Sequence, residues 1–191
     1  MLNPFRKGSD PHLLLVSMTG VKLGERFAQI GCAHGGRLGA VAAKVGLSGR
    51  AVAIVPDEAS AARAAKGAAD AGVLVEVETA PPTDLPVENE AFDIVVVDDT
   101  GGFLGTMRPD ARETAVGEAL RILRPGGRLM VVGNGAGHGI GAWFARGPAA
   151  PSFDPSIALQ AGGFKSVRTL AEREGLVFVE GIKPRRASPA V

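Results

Sequence analysis

Residues 92–99 read FDIVVVDD, a nearly continuous apolar run closed by two acids. A strand of that composition belongs in the middle of a sheet whose two faces are both covered. Four further runs are strand-like: RFAQIG (26–31), RAVAIVP (50–56), VLVEVETA (73–80) and LMVVG (129–133). Helical stretches lie between them. RLGAVAAKVG (37–46) spaces Leu38, Val41, Ala42 and Val45 for one helix face, with Gly46 as a stop. EASAARAAKGAADAG (58–72) follows Asp57 as a cap and ends at Gly72. Pro109 opens a helix through about Leu123, and RPGGR (124–128) turns into the fifth strand. A short helix is expected over 13–20, a capped helix over 154–164 and a two-stranded hairpin over 166–184. PPTDLPVENEA (81–91) and GGFLGTM (101–107) read as loops, while NGAGHGIGAWFARG (134–147) is glycine-rich and takes no assignment.

This alternation predicts an α/β fold: a mostly parallel seven-stranded sheet, helices on both faces, and a C-terminal antiparallel hairpin at one edge. The 191 residues suit one domain, with an N-terminal extension (1–19), a core (20–184) and a tail (185–191). The net charge of +1 and the lack of an aromatic–basic platform argue against a nucleic-acid partner. LLLVSM (13–18) is too short to span a bilayer, so no membrane span is expected. The single cysteine permits no intrachain disulfide, and a cytoplasmic location is the expectation. KPRR (183–186) reads as a solvated, frayed terminus, and Arg112, Arg121 and Arg124 as a solvated helix face.

Open parallel sheets bind ligands beyond the C-terminal ends of their strands. The first such end is QIGCAHGG (29–36). A G-x-G-x-x-G loop needs glycine at 31, 33 and 36; a G-x-G-x-G loop needs it at 31, 33 and 35. Ala33 in the middle leaves each pattern met at two of three places, so the loop alone does not decide. Gly31, Gly35 and Gly36 also suit a tight strand-to-helix turn with no ligand at all.

Four segments in order do decide: FAQIGCAHGGRLGAVAAKVG, DLPVENEAFDIVVVDD, EALRILRPGGRLMVVG and AGGFKSVRTL. Together they resemble the first loop, the fourth strand with its preceding Leu-Pro, the Pro-Gly-Gly turn and the closing Gly-Phe of the class I S-adenosylmethionine-dependent methyltransferases, of the small methyltransferase-domain type. The resemblance covers residues 20–183. It implies the Rossmann-like class I methyltransferase fold, S-adenosylmethionine as cofactor, and methyl transfer to a small-molecule substrate. It implies cofactor contacts at Gly31, Cys32, Ala33, His34, Gly35, Asp57, Asp84 and Asp98, assigns no catalytic residue, and calls for no metal. The Leu-Pro and Pro-Gly-Gly motifs argue against a nicotinamide-dependent oxidoreductase.

Three positions depart from the family's pattern. Gln29 stands two residues before the first glycine, where an acid is usual; Val55 stands where the ribose-binding carboxylate ends strand two; Ala80 and Pro81 stand where an acid follows strand three. Asp57 and Asp84 are the nearest replacements. Each lost charge-assisted hydrogen bond costs about 1.5–3 kcal/mol, so weak cofactor binding is expected. A carboxylate restored at 55 is expected to raise affinity at least roughly tenfold. The alternative is a non-catalytic binding or assembly subunit with a decayed cofactor pocket, docking a protein partner or a second copy through 134–147. Individual residues carry plainer readings too. Cys32 suits a small buried position, His34 a loop side chain beside the pocket and His138 an exposed loop; Asp98 and Asp99 suit a base, a ligand contact or the cap of the next turn. Trp143 and Phe144 suit a cleft wall, the core or a partner surface.

Overall fold

The computed structural model describes residues 11–135 and 153–186. Its centre is a seven-stranded sheet in the order β3-β2-β1-β4-β5-β7-β6. The strands are β1 (Arg26–Ile30), β2 (Arg50–Val55), β3 (Glu76–Thr79), β4 (Phe92–Asp99), β5 (Leu123–Asn134), β6 (Lys165–Arg173) and β7 (Leu176–Ile182). β1 to β5 run parallel, and β7 pairs antiparallel with both β5 and β6. The apolar run 92–99 is indeed interior, flanked by β1 and β5.

Neither face of the central strands meets water. Phe27, Ala53, Val55, Ile94, Val96, Met130 and Val132 pack on one side with Leu38, Val41, Ala42 and Val45 of α2 (Gly35–Val45). The same layer holds α1 (Leu13–Thr19) and α3 (Glu58–Ala71). The alternate residues Ile30, Ile54, Val95, Val97, Leu129 and Val131 pack on the other side. There they meet α4 (Phe103–Thr106), α5 (Pro109–Ile122) and α6 (Pro155–Ala161). Asp57 and Asp154 cap α3 and α6 through the Ser60 and Ser156 amides, as their sequence positions led us to expect.

Several local expectations change. α2 starts at Gly35, so Gly35 and Gly36 belong to its first turn rather than to the loop. β3 begins only at Glu76. The Pro-Gly-Gly segment is part of β5, where the Gly126 amide and Gly127 carbonyl pair with the backbone of Lys183. Residues 103–106 form a helical turn because both its ends are tied: Asp99 accepts from the Leu104 amide, and the Arg112 guanidinium donates to the carbonyls of Leu104 and Met107.

Arg112 is therefore a brace rather than a solvated side chain. Arg121 is another, donating to the Leu85 and Val87 carbonyls, Asn89 and Glu118, and so shaping the 81–91 loop. Arg124 is exposed but pairs with Asp93. The KPRR segment is anchored as well: Lys183 Nζ reaches the Leu123 carbonyl at 2.7 Å, and Arg186 grips both oxygens of Glu90. Residues 136–147, with His138, Trp143 and Phe144, lie outside the described residues. Among the described residues, no helix is long and apolar enough to cross a membrane.

Candidate functional site

Strand order reverses between β1 and β4, and the C-terminal ends of β1, β2 and β4 open there onto a cleft of about 200 Å³. Gly31, Cys32 and Ala33 form one wall, Asp57, Ser60 and Arg63 another, and Pro82, Asp98 and Phe103 contribute to the rest. This is where an open parallel sheet holds its ligand.

The 31–34 loop is braced by the protein's own groups. Gly31 has φ +77°, and its amide donates to the Ile54 carbonyl at 2.9 Å. A Cβ there would sit 3.1 Å from the Phe103 ring and 3.2 Å from the Asp98 carbonyl, so packing and backbone conformation both demand glycine. Gln29 is buried, and its side-chain amide donates to the Gly31 carbonyl at 3.0 Å. The amide thus fills a supporting position in the core, where a carboxylate could not donate.

Asp98 is buried with both oxygens engaged. One accepts from the Ala33 amide at 2.9 Å; the other accepts from the Thr100 hydroxyl at 2.6 Å and amide at 3.2 Å. Arg37 donates in turn to that hydroxyl. Asp99, one residue on, faces the opposite layer and fastens α4. Burial, reinforced by neighbouring Asp98, pushes its carboxyl above the usual range. Cys32 is buried, and burial followed by Asp98 raises its thiol to about 11. It is a thiol at neutral pH and no nucleophile.

Asp57 is exposed at the cleft, with one oxygen accepting from the Ser60 amide at 2.7 Å. That bond holds its carboxyl below the usual range. Gly31, Cys32, Ala33, Asp57 and Asp98 thus meet at one cleft, and three other candidates do not. His34 occupies the position before α2 and sets its ring edge-on to His12, centroids 5.7 Å apart. Gly35 faces α3 instead of the cleft: a Cβ on it would lie 2.2 Å from the Arg63 carbonyl. Asp84 lines a separate hollow with Arg50, Leu85 and Glu118. Val55 is fully buried in the α2–α3 layer, so a carboxylate at 55 would enter the core rather than the cleft.

Ser60, Arg63 and Phe103 line the cleft without having been singled out from the sequence. The signal for two of them was present: 57, 60 and 63 follow at intervals of three, which sets them along one side of a helix start. Phe103 gave none, because its place depends on the short α4 turn. Among the described residues, no group of three or more His, Cys, Asp or Glu side chains could hold a metal.

Asp57 presents an exposed carboxylate just beyond β2, and the small residues 31–33 line the cleft beside it. A family model described as "Methyltransferase domain" matches residues 27–127. No curated protein sequence matches the chain. Among solved structures, a SAM-dependent methyltransferase from Aquifex aeolicus superposes with a TM-score of 0.71 at 20% identity, over 91% of this chain and 89% of that one. The [4+2]-cyclase SpnF gives 0.67 at 19% identity, over 90% and 79%. A complex of the Haloferax volcanii Trm112 methyltransferase activator with a protein described as a methyltransferase gives 0.63 at 15%, over 91% and 88%. At such identities these likenesses speak for the fold.

Proposed function

The chain belongs to the methyltransferase-domain family, and on that premise we propose that it transfers a methyl group from S-adenosylmethionine to a small molecule. The observation that carries the reading is the cleft where strand order reverses, walled by a small-residue loop and by an exposed carboxylate at the end of β2. In this reading Asp57 meets the ribose hydroxyls, and Gly31, Cys32 and Ala33 border the amino-acid end. When bound, the cofactor supplies an electrophilic methyl on a sulfonium. Transfer then depends mainly on holding the acceptor in near-attack geometry, which asks for shape more than for dedicated acids and bases. Phe103 and Pro82 supply apolar wall to that cleft.

The non-catalytic alternative gains no support from these observations. The neighbour held with an activator leaves room for a protein partner in this proposal. Calorimetric titration of the purified protein with S-adenosylmethionine, S-adenosylhomocysteine and NAD tests it. Binding of the first two at micromolar or looser Kd, and none of NAD, is expected. A folded sample giving no heat with millimolar S-adenosylhomocysteine overturns it.

A further inference from the structure

The peptide joining Cys32 to Ala33 is gripped at both ends. Its carbonyl accepts from Arg63 Nε at 3.0 Å, and its N–H donates to the Asp98 carboxylate at 2.9 Å. The two holds come from opposite parts of the fold, Arg63 from α3 and Asp98 from the end of β4. A peptide is a rigid plane whose C=O and N–H point in opposite directions, so bonding both ends fixes its rotation about the chain axis. Releasing one end frees the plane to turn.

We propose that Arg63 is a positioning residue for the ligand cleft, orienting the Cys32–Ala33 peptide from the α3 side. It rests on the methyltransferase reading for the identity of the ligand, though the clamp itself does not. Three features bear on it. Arg63 lines the cleft, and a second hydrogen bond, to Ser60 Oγ at 2.7 Å, holds the guanidinium against the first turn of α3. Ser60 in turn bonds Asp57 through its amide, so the carboxylate at the ribose side and the loop on the other side are linked through one arginine. The reach is set by the helices: the absence of a Cβ at Gly35 lets α2 lie against the Arg63 carbonyl.

The loop's other polar groups sharpen the role. The Gly31 amide is bonded to Ile54 and its carbonyl to Gln29. With the Cys32 carbonyl and Ala33 amide also engaged, this wall of the cleft is shaped before any ligand arrives, which spares the cost of ordering it on binding. Arg63 supplies the one part of that bracing that is exposed and removable without opening the core.

The test compares wild type with Arg63→Met, which keeps the stem and loses the donors, and Arg63→Lys, which keeps the charge without the planar fork. Hydrogen exchange read at single amides requires no ligand. Ala33 exchange is expected to quicken at least tenfold in Arg63→Met, with the β1 amides of Ala28–Ile30 unchanged; Arg63→Lys should recover part of the protection. Calorimetry with S-adenosylhomocysteine should show affinity falling tenfold or more in Arg63→Met and recovering partly in Arg63→Lys. Unchanged Ala33 exchange overturns the clamp. Faster exchange with unchanged affinity overturns its role in ligand positioning. If wild type itself gives no heat, the methyltransferase reading fails and takes the ligand half of the proposal with it, while the exchange data still judge the clamp.

Discussion

Gly67 and Gly35 meet backbone to backbone where α3 crosses α2: a Cβ built on Gly67 would lie 2.1 Å from the Gly35 carbonyl oxygen. Gly39 extends the contact, its own Cβ position being 2.5 Å from the Gly67 carbonyl. Since the obstructing atoms are main chain, Gly67→Ala must push the helices apart. It is expected to cost about 1–3 kcal/mol, which lowers Tm by roughly 2–4 °C for each kcal/mol. Gly117→Ala is the control. That residue lies in α5 with nothing within 4 Å of its Cβ position, so alanine should stabilise by about 0.4–1 kcal/mol. Thermal melts of the two variants should move in opposite directions.

Val55→Asp is expected to damage the protein rather than to restore a binding group. The side chain is fully enclosed in the α2–α3 layer, and a carboxylate there would be an uncompensated buried charge. A loss of about 3–5 kcal/mol is expected in urea unfolding at pH 7. A variant as stable as wild type with tighter S-adenosylhomocysteine binding would show that residue 55 does reach the cleft.

Asp57 caps α3 and places a carboxylate at the cleft, and substitution can separate the two. Asp57→Ala removes the cap and the cleft carboxylate together; Asp57→Ser keeps an acceptor for the Ser60 amide and loses only the charge. We expect S-adenosylhomocysteine affinity to fall at least tenfold in both, with helix content and Tm preserved in Asp57→Ser. Calorimetry beside circular dichroism reads the split.

Two carboxyls should give stability profiles of opposite sign with pH. The Glu118 carboxyl is lowered, first by its hydrogen bond to Arg121. Its stabilising contribution is present above the ordinary glutamate range and disappears as pH falls through the lowered folded value. The Asp99 carboxyl is raised, first by burial. It penalises the fold as pH rises from the ordinary aspartate range through the raised folded value, and the penalty persists above it. Glu118→Gln should therefore be destabilised near neutrality and converge on wild type in acid. Asp99→Asn, which keeps an acceptor for the Leu104 amide, should gain near neutrality and lose that gain in acid. Urea midpoints from pH 3 to 8 decide both.

Cys32 should resist thiol reagents. With the thiol raised to about 11 and the residue buried, native protein at pH 8 is expected to react with a disulfide reagent only as fast as it unfolds. Rapid reaction of one equivalent without denaturant would contradict the burial.

The α/β alternation, the interior place of β4 and the bounds of α3 follow from features that the sequence displays openly, such as the unbroken apolar run at 92–99 and the Asp57 and Gly72 ends of α3; the order of the strands does not. The facing of individual residues does not. Ile54 and Val55 enter opposite layers, yet both layers are apolar, so a buried parallel strand shows no alternation to reveal which one turns toward the cleft. Arg112 and Arg121 are spaced as surface residues would be; their roles arise from carbonyls at 104, 107, 85 and 87, whose directions depend on loop conformation. Gly35 illustrates a third difficulty. A glycine in a strand-to-helix turn and a glycine admitting a neighbouring helix look identical in one chain, and only the position of Gly67 tells them apart.

The position of β7 has a consequence for how the chain is made. β6 leaves the ribosome before β7, yet it is β7 that lies against β5, with β6 outside it. Until residue 182 has emerged, β5 presents an open flank of seven residues, Arg128 to Asn134, of which Leu129 to Val132 are all apolar. A nascent chain stalled before that point carries a ready template for pairing with another chain. Docking of β7 is therefore the event that closes this flank of the sheet, with β6 added outside it.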